Sequence, residues 1–168
     1  GFTETGVVLK SGAAYDADIV VTATGFNMNV LGDIDFSIDD EPLVLSDTVT
    51  YRGMMFTGVP NLLWVFGYFR GSWTYRADLL ADFVCRLLTH MNDRGARRVE
   101  VKLRAEDQDM ELLPWQDTES FNPSYLLRAM PFLPKSGAKP EWHHSQDYWE
   151  DSRVIPAIDL DGDEFIYQ

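Results

Sequence analysis

The stretch GVPNLLWVFGYFRGSWTYRADLLADF, residues 58–83, decides the expected fold of this chain. It contains an apolar run at 62–67 that ends in Gly67, and a short turn closed by Gly71 follows. An apolar run of this length, bounded by turn signals, indicates a strand buried on both faces. The segment after the turn has helical periodicity instead. We therefore predict a buried strand, a tight turn and a helix, in that order.

The helix signal is strongest over residues 74–91. Ser72 or Thr74 can cap its start, and Gly95 follows its end. The apolar residues that recur at three- and four-residue spacing are Leu79, Leu80, Phe83, Val84, Leu87, Leu88 and Met91. This spacing gives a wide apolar stripe, which predicts that one helix face packs against the core. Cys85 lies among these positions, so we expect a buried thiol.

The remaining elements are shorter. Residues 5–22 indicate strands and a turn, with a second buried strand at 19–22. Alternating valine and charged residues at 97–104 predict a half-exposed strand. A short helix is expected with Asn122 as its cap and Pro123 as its first residue. Together these elements predict an α/β fold.

Composition restricts the possible functions. The 168 residues are 45% hydrophobic, which is typical of one globular domain. The formal net charge of −13 argues against a nucleic-acid partner, because phosphate backbones need clustered cations. A single cysteine favours a reducing compartment. No apolar run reaches the roughly 20 residues of a membrane span and no signal peptide opens the chain, so we expect a soluble, cytoplasmic protein.

The turn at the centre of the opening stretch is a candidate cofactor site. The first turn of a helix leaves backbone N–H groups unpaired and carries partial positive charge, which favours an anion or a carbonyl oxygen. Gly67 and Gly71 would let a ligand approach the backbone closely, and Tyr68 and Trp73 could pack on a flat ring. An ordinary strand-to-helix connection is the alternative interpretation.

Two motifs favour the cofactor interpretation. DADIVVTATGF at 16–26 resembles the Asp-(apolar)-Ala-Thr-Gly-Phe strand of flavin-containing and Baeyer–Villiger monooxygenases. YRGMMFTGVPNLLWVFG at 51–67 resembles a later stretch of the same enzymes, and the order and spacing agree. The continuation through the helix, with NPSYLLRAM and LPKSG in the tail, is most similar to the ethionamide-activating type of Baeyer–Villiger monooxygenase. The resemblance covers roughly residues 1 to 150.

This resemblance implies the C-terminal part of a discontinuous, Rossmann-like FAD-binding domain, into which an NADPH domain is inserted. Residues 1–130 would belong to the FAD-binding domain, with residues 1–26 near the link from the NADPH domain. Residues 131–168 would form an extended C-terminal tail that wraps the surface. The expected fold class is accordingly α/β, with strands, one long helix and that tail.

The resemblance also implies site residues. Thr24 and Gly25 would belong to the linking strand near the dinucleotide sites, and Met54 and Met55 would lie on the substrate side of the flavin. The residues that the resemblance places at the flavin-facing turn are Gly67, Tyr68, Ser72, Trp73 and Thr74. In the complete enzymes NADPH reduces FAD, and a flavin peroxide then oxygenates a ketone or a soft heteroatom of a small-molecule substrate. No catalytic residue is identified.

Several elements of the family are absent from the sequence. These are the phosphate-binding Gly-x-Gly-x-x-Gly motif, the Phe-x-Gly-x-x-x-His-x-x-x-Trp fingerprint and the arginine that the NADPH domain holds near the flavin. We therefore expect a fragment whose partner is the N-terminal FAD/NADPH portion of the same enzyme, and which is inactive alone. The alternative is a non-catalytic binding or assembly module derived from the flavoprotein fold, which would form homo-oligomers through its open apolar surface.

Two polar clusters suggest metal sites but are better explained otherwise. EWHHSQD at 141–147 contains adjacent histidines without a second pair at ligand spacing, so we expect a solvent-exposed tail. DLDGDE at 159–164 resembles the start of a calcium loop, but its glycine is fourth rather than sixth, so we expect an acidic turn. His90 is expected to favour the C-terminal end of the long helix. No metal site is predicted.

Overall fold

The computed structural model describes all 168 residues and shows a mixed α/β chain with three helices and small sheets. The α-helices are α1 (Trp73–Asp93), α2 (Ser124–Ala129) and α3 (Tyr148–Val154). The strands are β1 (Gly6–Val8), β2 (Ala14–Asp16), β3 (Ser37–Ile38), β4 (Glu41–Pro42), β5 (Thr50–Tyr51), β6 (Met55–Phe56), β7 (Val99–Val101), β8 (Leu112–Pro114), β9 (Lys135–Gly137) and β10 (Phe165–Tyr167). Short 3-10 turns occupy Val30–Asp33, Leu45–Asp47, Ala105–Asp107, Met130–Phe132 and Pro140–Trp142.

The strands form five antiparallel pairs rather than one continuous sheet. The pairs are β1 with β2, β3 with β4, β5 with β6, β7 with β10, and β8 with β9. Two single parallel bridges, Val49 to Lys135 and Thr57 to Val101, tie the β5–β6 hairpin to β9 and β7. The hairpin therefore lies at the centre of the ordered strands.

The long helix is confirmed. Ser72 caps it by accepting a hydrogen bond from the Thr74 N–H at 3.4 Å. Gly95 follows its end with φ at +66°, a conformation in which glycine avoids the strain that a side chain would bring. The side chains that α1 buries are Arg76, Leu80, Phe83, Leu87 and Met91, a row at helical spacing.

The main core joins α1 to the β5–β6 hairpin, to β7 and β10, and to the tail. Its tail members are Trp142, Ile155, Ile158, Leu160 and Phe165. A smaller aromatic cluster around Phe66 and Trp115 packs against α2. The expected surface-wrapping tail, residues 131–168, therefore also supplies core residues, while the division of the chain at residue 130 stays a prediction.

Two expected buried strands are wrong as local structure. Residues 19–22 pair with no strand, and Ile19 and Val21 are 82% and 85% exposed. Residues 62–67 have no regular secondary structure and lie outside any sheet; of their N–H groups, only that of Trp64 is paired with backbone, with the Met54 carbonyl at 2.8 Å. The physical reason is the same in both places, because a strand buried on both faces needs neighbouring strands that this chain does not provide.

Other local predictions have mixed outcomes. The strand at 97–104 is confirmed as β7, with Val99 and Val101 buried. The short helix is confirmed as α2, but Pro123 rather than Asn122 occupies the cap position. The buried thiol is wrong, since Cys85 is exposed on the outer face of α1, opposite the row that faces the core.

Candidate functional site

The candidate site is built around residues 66–74, here called the strand-to-helix turn. Phe66, Gly67 and Tyr68 are buried, whereas the residues from Arg70 to Thr74 reach solvent. The Trp73 ring lies directly over Gly67, so that a Cβ atom at position 67 would overlap the indole. Glycine is therefore required there because the ring of Trp73 occupies the space of a side chain.

Backbone N–H groups are free at the start of α1. The Thr74 N–H has the Ser72 hydroxyl as its acceptor, but the N–H groups of Trp73 and Tyr75 donate to no protein acceptor. These donors lie at the positive end of a 21-residue helix. The turn can therefore bind an electron-rich oxygen or an anion.

An aromatic cavity of about 620 Å³ adjoins the turn. Its walls are mostly apolar, and they include Trp64, Phe66, Phe69, Trp73 and Tyr125 together with residues of the 26–36 segment. The Trp73 ring is half exposed and lies 4.7 Å from the Phe66 ring, centroid to centroid. Trp73 therefore combines an aromatic wall of the cavity with a free N–H at the helix start, an arrangement that suits a flat apolar ligand with an oxygen at its edge.

Tyr68 faces the tail rather than this cavity. Its hydroxyl donates to Asp151 Oδ2 at 2.7 Å, and burial, followed by this hydrogen bond, raises the pKa of Tyr68. Asp151 also accepts from Arg76, whose side chain has no exposed surface and donates to the Arg52 carbonyl as well. Burial raises the pKa of Asp151, while the Arg76 charge lowers it. The tyrosine therefore anchors the turn to α3.

Gln146 holds the next residue of the turn. Its Oε1 accepts from the Phe69 backbone N–H at 2.7 Å, and its Nε2 lies 3.1 Å from His144 Nδ1. The turn is thus contacted by the tail at its side chains and at its backbone.

His144 corrects the expectation of a solvent-exposed tail at 141–147. The imidazole has no exposed surface and stacks on Trp115, with 4.8 Å between centroids and 14° between planes. Burial lowers its pKa well below the usual value, and the charges of Arg76 and His143 lower it further, against a hydrogen bond with the Phe66 backbone. His144 is therefore a neutral, structural histidine at neutral pH.

The other predicted site residues lie apart from the turn. Thr24 and Gly25 belong to an exposed segment without regular structure, and nothing lies within 4 Å of the position that a Gly25 side chain would take. Met54 and Met55 are fully buried in the main core, so neither reaches the aromatic cavity. Met55 instead lines a second apolar cavity of about 310 Å³ beside α1.

The turn's tail partners His144, Gln146 and Asp151 were missed by sequence reasoning. Gln146 and Asp151 contact turn residues that are 77 and 83 positions away in sequence, and no sequence-spacing rule covers such a separation. Arg76 did carry a signal. It occupies the same helical row as Leu80 and Phe83, and a charged residue on an apolar face requires a buried partner.

The acidic turn at 159–164 and His90 take part in contacts that stabilise the fold. The turn at 159–164 is closed by its own hydrogen bonds, including Asp161 N–H to Asp159 Oδ1 at 3.0 Å. Asp161 also lies 3.5 Å from His90 Nε2 and pairs with Arg94 at the end of α1. The helices of the structure include none that is both long enough and apolar enough to cross a membrane.

Comparison with known proteins relates the chain to one group of flavoproteins. It is 45% identical over 154 residues to the FAD-containing monooxygenase EthA of Mycolicibacterium smegmatis, covering 92% of this chain and 30% of that protein. The EthA of Mycobacterium tuberculosis is 40% identical over 96% of this chain and 32% of its own length. The probable FAD-binding monooxygenase AlmA of Acinetobacter baylyi is 39% identical over 95% and 31%.

These matches fall on the C-terminal part of the relatives, and the chain spans about a third of their length. No family model matches the chain, and no solved structure matches it. The resemblance drawn from the motifs at 16–26 and 51–67 is thereby confirmed.

Proposed function

Because this chain is homologous to the C-terminal portion of the FAD-containing monooxygenases, we propose that it presents the strand-to-helix turn to the isoalloxazine edge of FAD. The observation that carries this proposal is the free N–H of Trp73, a residue that also lines the aromatic cavity, with a second free N–H at Tyr75 in the same helical turn. An isoalloxazine offers the matching features, a flat ring and an edge of carbonyl oxygens that becomes more negative on reduction.

The residues present fit such a group. The free amides can donate to its carbonyl edge, and Trp73 offers a half-exposed aromatic surface beside them. When bound, FAD supplies the electron transfer and oxygen chemistry of a monooxygenase, and the protein contributes position and electrostatics. Ser72 and Thr74 set the helix start from which the amides are aimed, since their hydroxyl groups lie 2.7 Å apart and close the cap.

The finer assignment is a Baeyer–Villiger type enzyme that uses NADPH and oxygenates ketones or soft heteroatoms. Its support is the pair of motifs at 16–26 and 51–67 and the similarity to the EthA proteins. Under this assignment Thr24 and Gly25 stay near the dinucleotide sites, and Met54 and Met55 support the substrate side from within the core.

The partner that this function requires is the N-terminal FAD/NADPH portion of such an enzyme. Exposed apolar side chains at Ile19, Val21 and Val65 lie on the two segments, 19–22 and 62–67, that lack neighbouring strands. We propose that strands of the N-terminal portion pair with these segments and bury them. The chain alone lacks a Gly-x-Gly-x-x-Gly phosphate cradle, so we expect it to bind FAD weakly and to be inactive.

A full-length protein that contains this chain tests the proposal. We expect the purified protein to show the visible absorption of oxidised flavin, and Trp73→Ala to weaken FAD retention about tenfold, an aromatic contact being worth roughly 1.4 kcal/mol. Leu88→Ala, a truncation of another exposed apolar residue of α1, is the control and should leave FAD retention unchanged. A colourless full-length protein would refute the proposal.

The same exposed segments also fit the alternative, a non-catalytic assembly module. In that case a second copy of the chain would cover Ile19 and Val21, and the purified chain would be an oligomer that binds no flavin. Sedimentation of the chain with and without FAD separates this function from the first.

A further inference from the structure

We infer that the tail residues His144, Gln146 and Asp151 act as positioning residues for the strand-to-helix turn. We call these three residues the tail brace. The inference rests on the proposed function, because it assumes that the turn faces a flavin, and it adds a role for a part of the chain that the flavin itself need not touch.

The brace contacts the turn at three successive places. His144 packs its ring edge against Phe66 at 5.5 Å between centroids, Asp151 accepts the Tyr68 hydroxyl, and Gln146 accepts the Phe69 N–H. These contacts fall on the buried Phe66 and Tyr68 and the half-buried Phe69, immediately before the exposed part of the turn that carries the free amides. We therefore expect the tail brace to fix the orientation of the free amides through its contacts with the residues that precede them.

The brace is itself held rigidly. Asp151 shares the buried Arg76 with the backbone of Arg52, so the first full turn of α1 and the β5–β6 hairpin are tied to the same carboxylate. The His144 ring is enclosed by Trp115 and by Gly53, where a side chain would overlap the imidazole. Gln146 is fixed between the His144 ring and the Phe69 amide.

The contact at Phe69 is the one that distinguishes positioning from general stability. It is a single hydrogen bond from a half-buried backbone amide to a half-buried side chain, so its loss costs little of the fold. It nevertheless fixes the Phe69 peptide plane, which lies three residues before the N-cap Ser72 and four residues before the free N–H of Trp73. A change there alters where the amides point more than whether the chain folds.

The test uses Gln146→Met in the full-length protein, with Gln146→Glu as the conservative variant that keeps the acceptor oxygen. Gln108→Met is the matched control, because Gln108 is exposed and contacts only backbone carbonyls of Leu103 and Arg104. Tyr68→Phe, which removes only the hydroxyl bound to Asp151, is the second variant in case Gln146→Met is poorly folded.

Two measurements decide the outcome. Hydrogen exchange at the Phe69 amide should become about tenfold faster in Gln146→Met and stay slow in Gln146→Glu and Gln108→Met. The FAD dissociation constant should rise about three- to tenfold in Gln146→Met and in Tyr68→Phe, with recovery in Gln146→Glu. The melting temperatures of the folded variants should stay close to that of the unmodified protein.

The possible failures are distinguishable. A full-length protein without flavin overturns the proposed function and, with it, the flavin-related part of this inference. If the unmodified protein holds FAD but Gln146→Met and Tyr68→Phe bind it equally well, the positioning role is wrong while the proposed function stands. Unchanged exchange at Phe69 in Gln146→Met overturns the brace itself.

Discussion

Residues 1–47 contribute one of the 36 buried residues, Gly6, whereas residues 48–168 contribute the other 35. The difference does not come from composition, since the first region contains apolar runs such as the one at 19–22. It comes from what surrounds them. Residues 48–168 close a core between α1, the hairpin and the tail, while the N-terminal region forms two small hairpins without a shared core. Apolar character shows which residues favour burial, but only a partner surface can bury them.

Truncating one leucine in each region should show the largest difference between residues 1–47 and residues 48–168. Leu80→Ala removes a fully buried side chain from the main core and should lower the free energy of unfolding by about 3 kcal/mol. Leu9→Ala, at a half-exposed position, should change it by less than about 0.5 kcal/mol. Urea unfolding of the purified chain measures both. Equal effects would mean that the two regions do not differ as described.

The buried carboxylate of Asp107 lies in the well-packed region, residues 48–168, and is held by an ionic network. Asp107 has no exposed surface and accepts hydrogen bonds from Arg104 Nε at 2.6 Å, Trp142 Nε1 at 2.9 Å and Lys139. Burial raises the pKa of Asp107, but these donors outweigh burial and lower the pKa below its ordinary range.

We expect Asp107→Ala to destabilise the chain by about 2 to 3 kcal/mol, because it leaves buried donors without an acceptor while the two cations partly reach water. Asp109→Ala, at an exposed position close by, should cost less than about 0.5 kcal/mol in the same urea titration. If the two variants lose the same free energy of unfolding within experimental error, the Asp107 network does not stabilise the chain.

The effect of a substitution in residues 1–47 on folding stability should depend on whether the proposed N-terminal FAD/NADPH portion is present. Val21→Ala should be neutral in the isolated chain, where the side chain is 85% exposed. In a full-length protein it should cost about 1 to 2 kcal/mol, because the proposed pairing would bury the side chain. Urea unfolding of both forms with and without the substitution provides the measurement. A neutral effect in both forms would remove the support for strand pairing at 19–22.

The effect expected to be smallest is a dependence of folding stability on pH near neutrality. We expect it to arise in residues 48–168, because all three histidines lie there. The folded pKa of His144 is below its unfolded value near 6.5, so the unfolded state binds a proton first as the pH falls. Stability should therefore be lost below about pH 6.5, by at most about 1.4 kcal/mol per pH unit.

His144→Gln isolates this contribution. The stability of the unmodified chain minus that of the variant should decrease as the pH falls from about 6.5 toward the folded pKa. Asp151 has a raised pKa and contributes with the opposite sign at lower pH, but it is present in both proteins. Arg76 and His143, which face the imidazole, are also unchanged. Chemical denaturation at each pH gives the free energy of unfolding of both proteins. If the two plots of this free energy against pH are parallel, His144 is not buried as the structure describes.

Prediction from the sequence succeeded where the evidence is local. The length and capping of α1 and its buried Leu80, Phe83, Leu87 and Met91 follow from residues close together in sequence, so periodicity and cap residues were sufficient there. Leu88 of the predicted stripe is exposed instead. The same holds for β7, where alternation alone indicated the buried valines. The flavoprotein relationship was also readable, because the order of short motifs is preserved along the chain.

Prediction failed where distant segments decide. His144 was expected to be exposed because the adjacent histidines have no second pair at ligand spacing, whereas the aromatic cluster of Trp115 and Phe66 buries it. For His144 the deciding contacts are with residues that no local pattern specifies. Cys85 is a different kind of error, because it was taken as part of the apolar stripe although it lies on the face of α1 opposite the buried row.

The sequence by itself determined the long helix, its glycine-bounded approach and the family from which they come, since these depend on residues that are neighbours along the chain. Only the tertiary contacts show that the tail returns to hold that approach, that Asp107 is paired with Arg104 and Lys139 and Asp151 with Arg76, and that residues 19–22 remain uncovered. The physical reason is that burial and hydrogen-bond pairing are properties of two surfaces, and one segment encodes only its own.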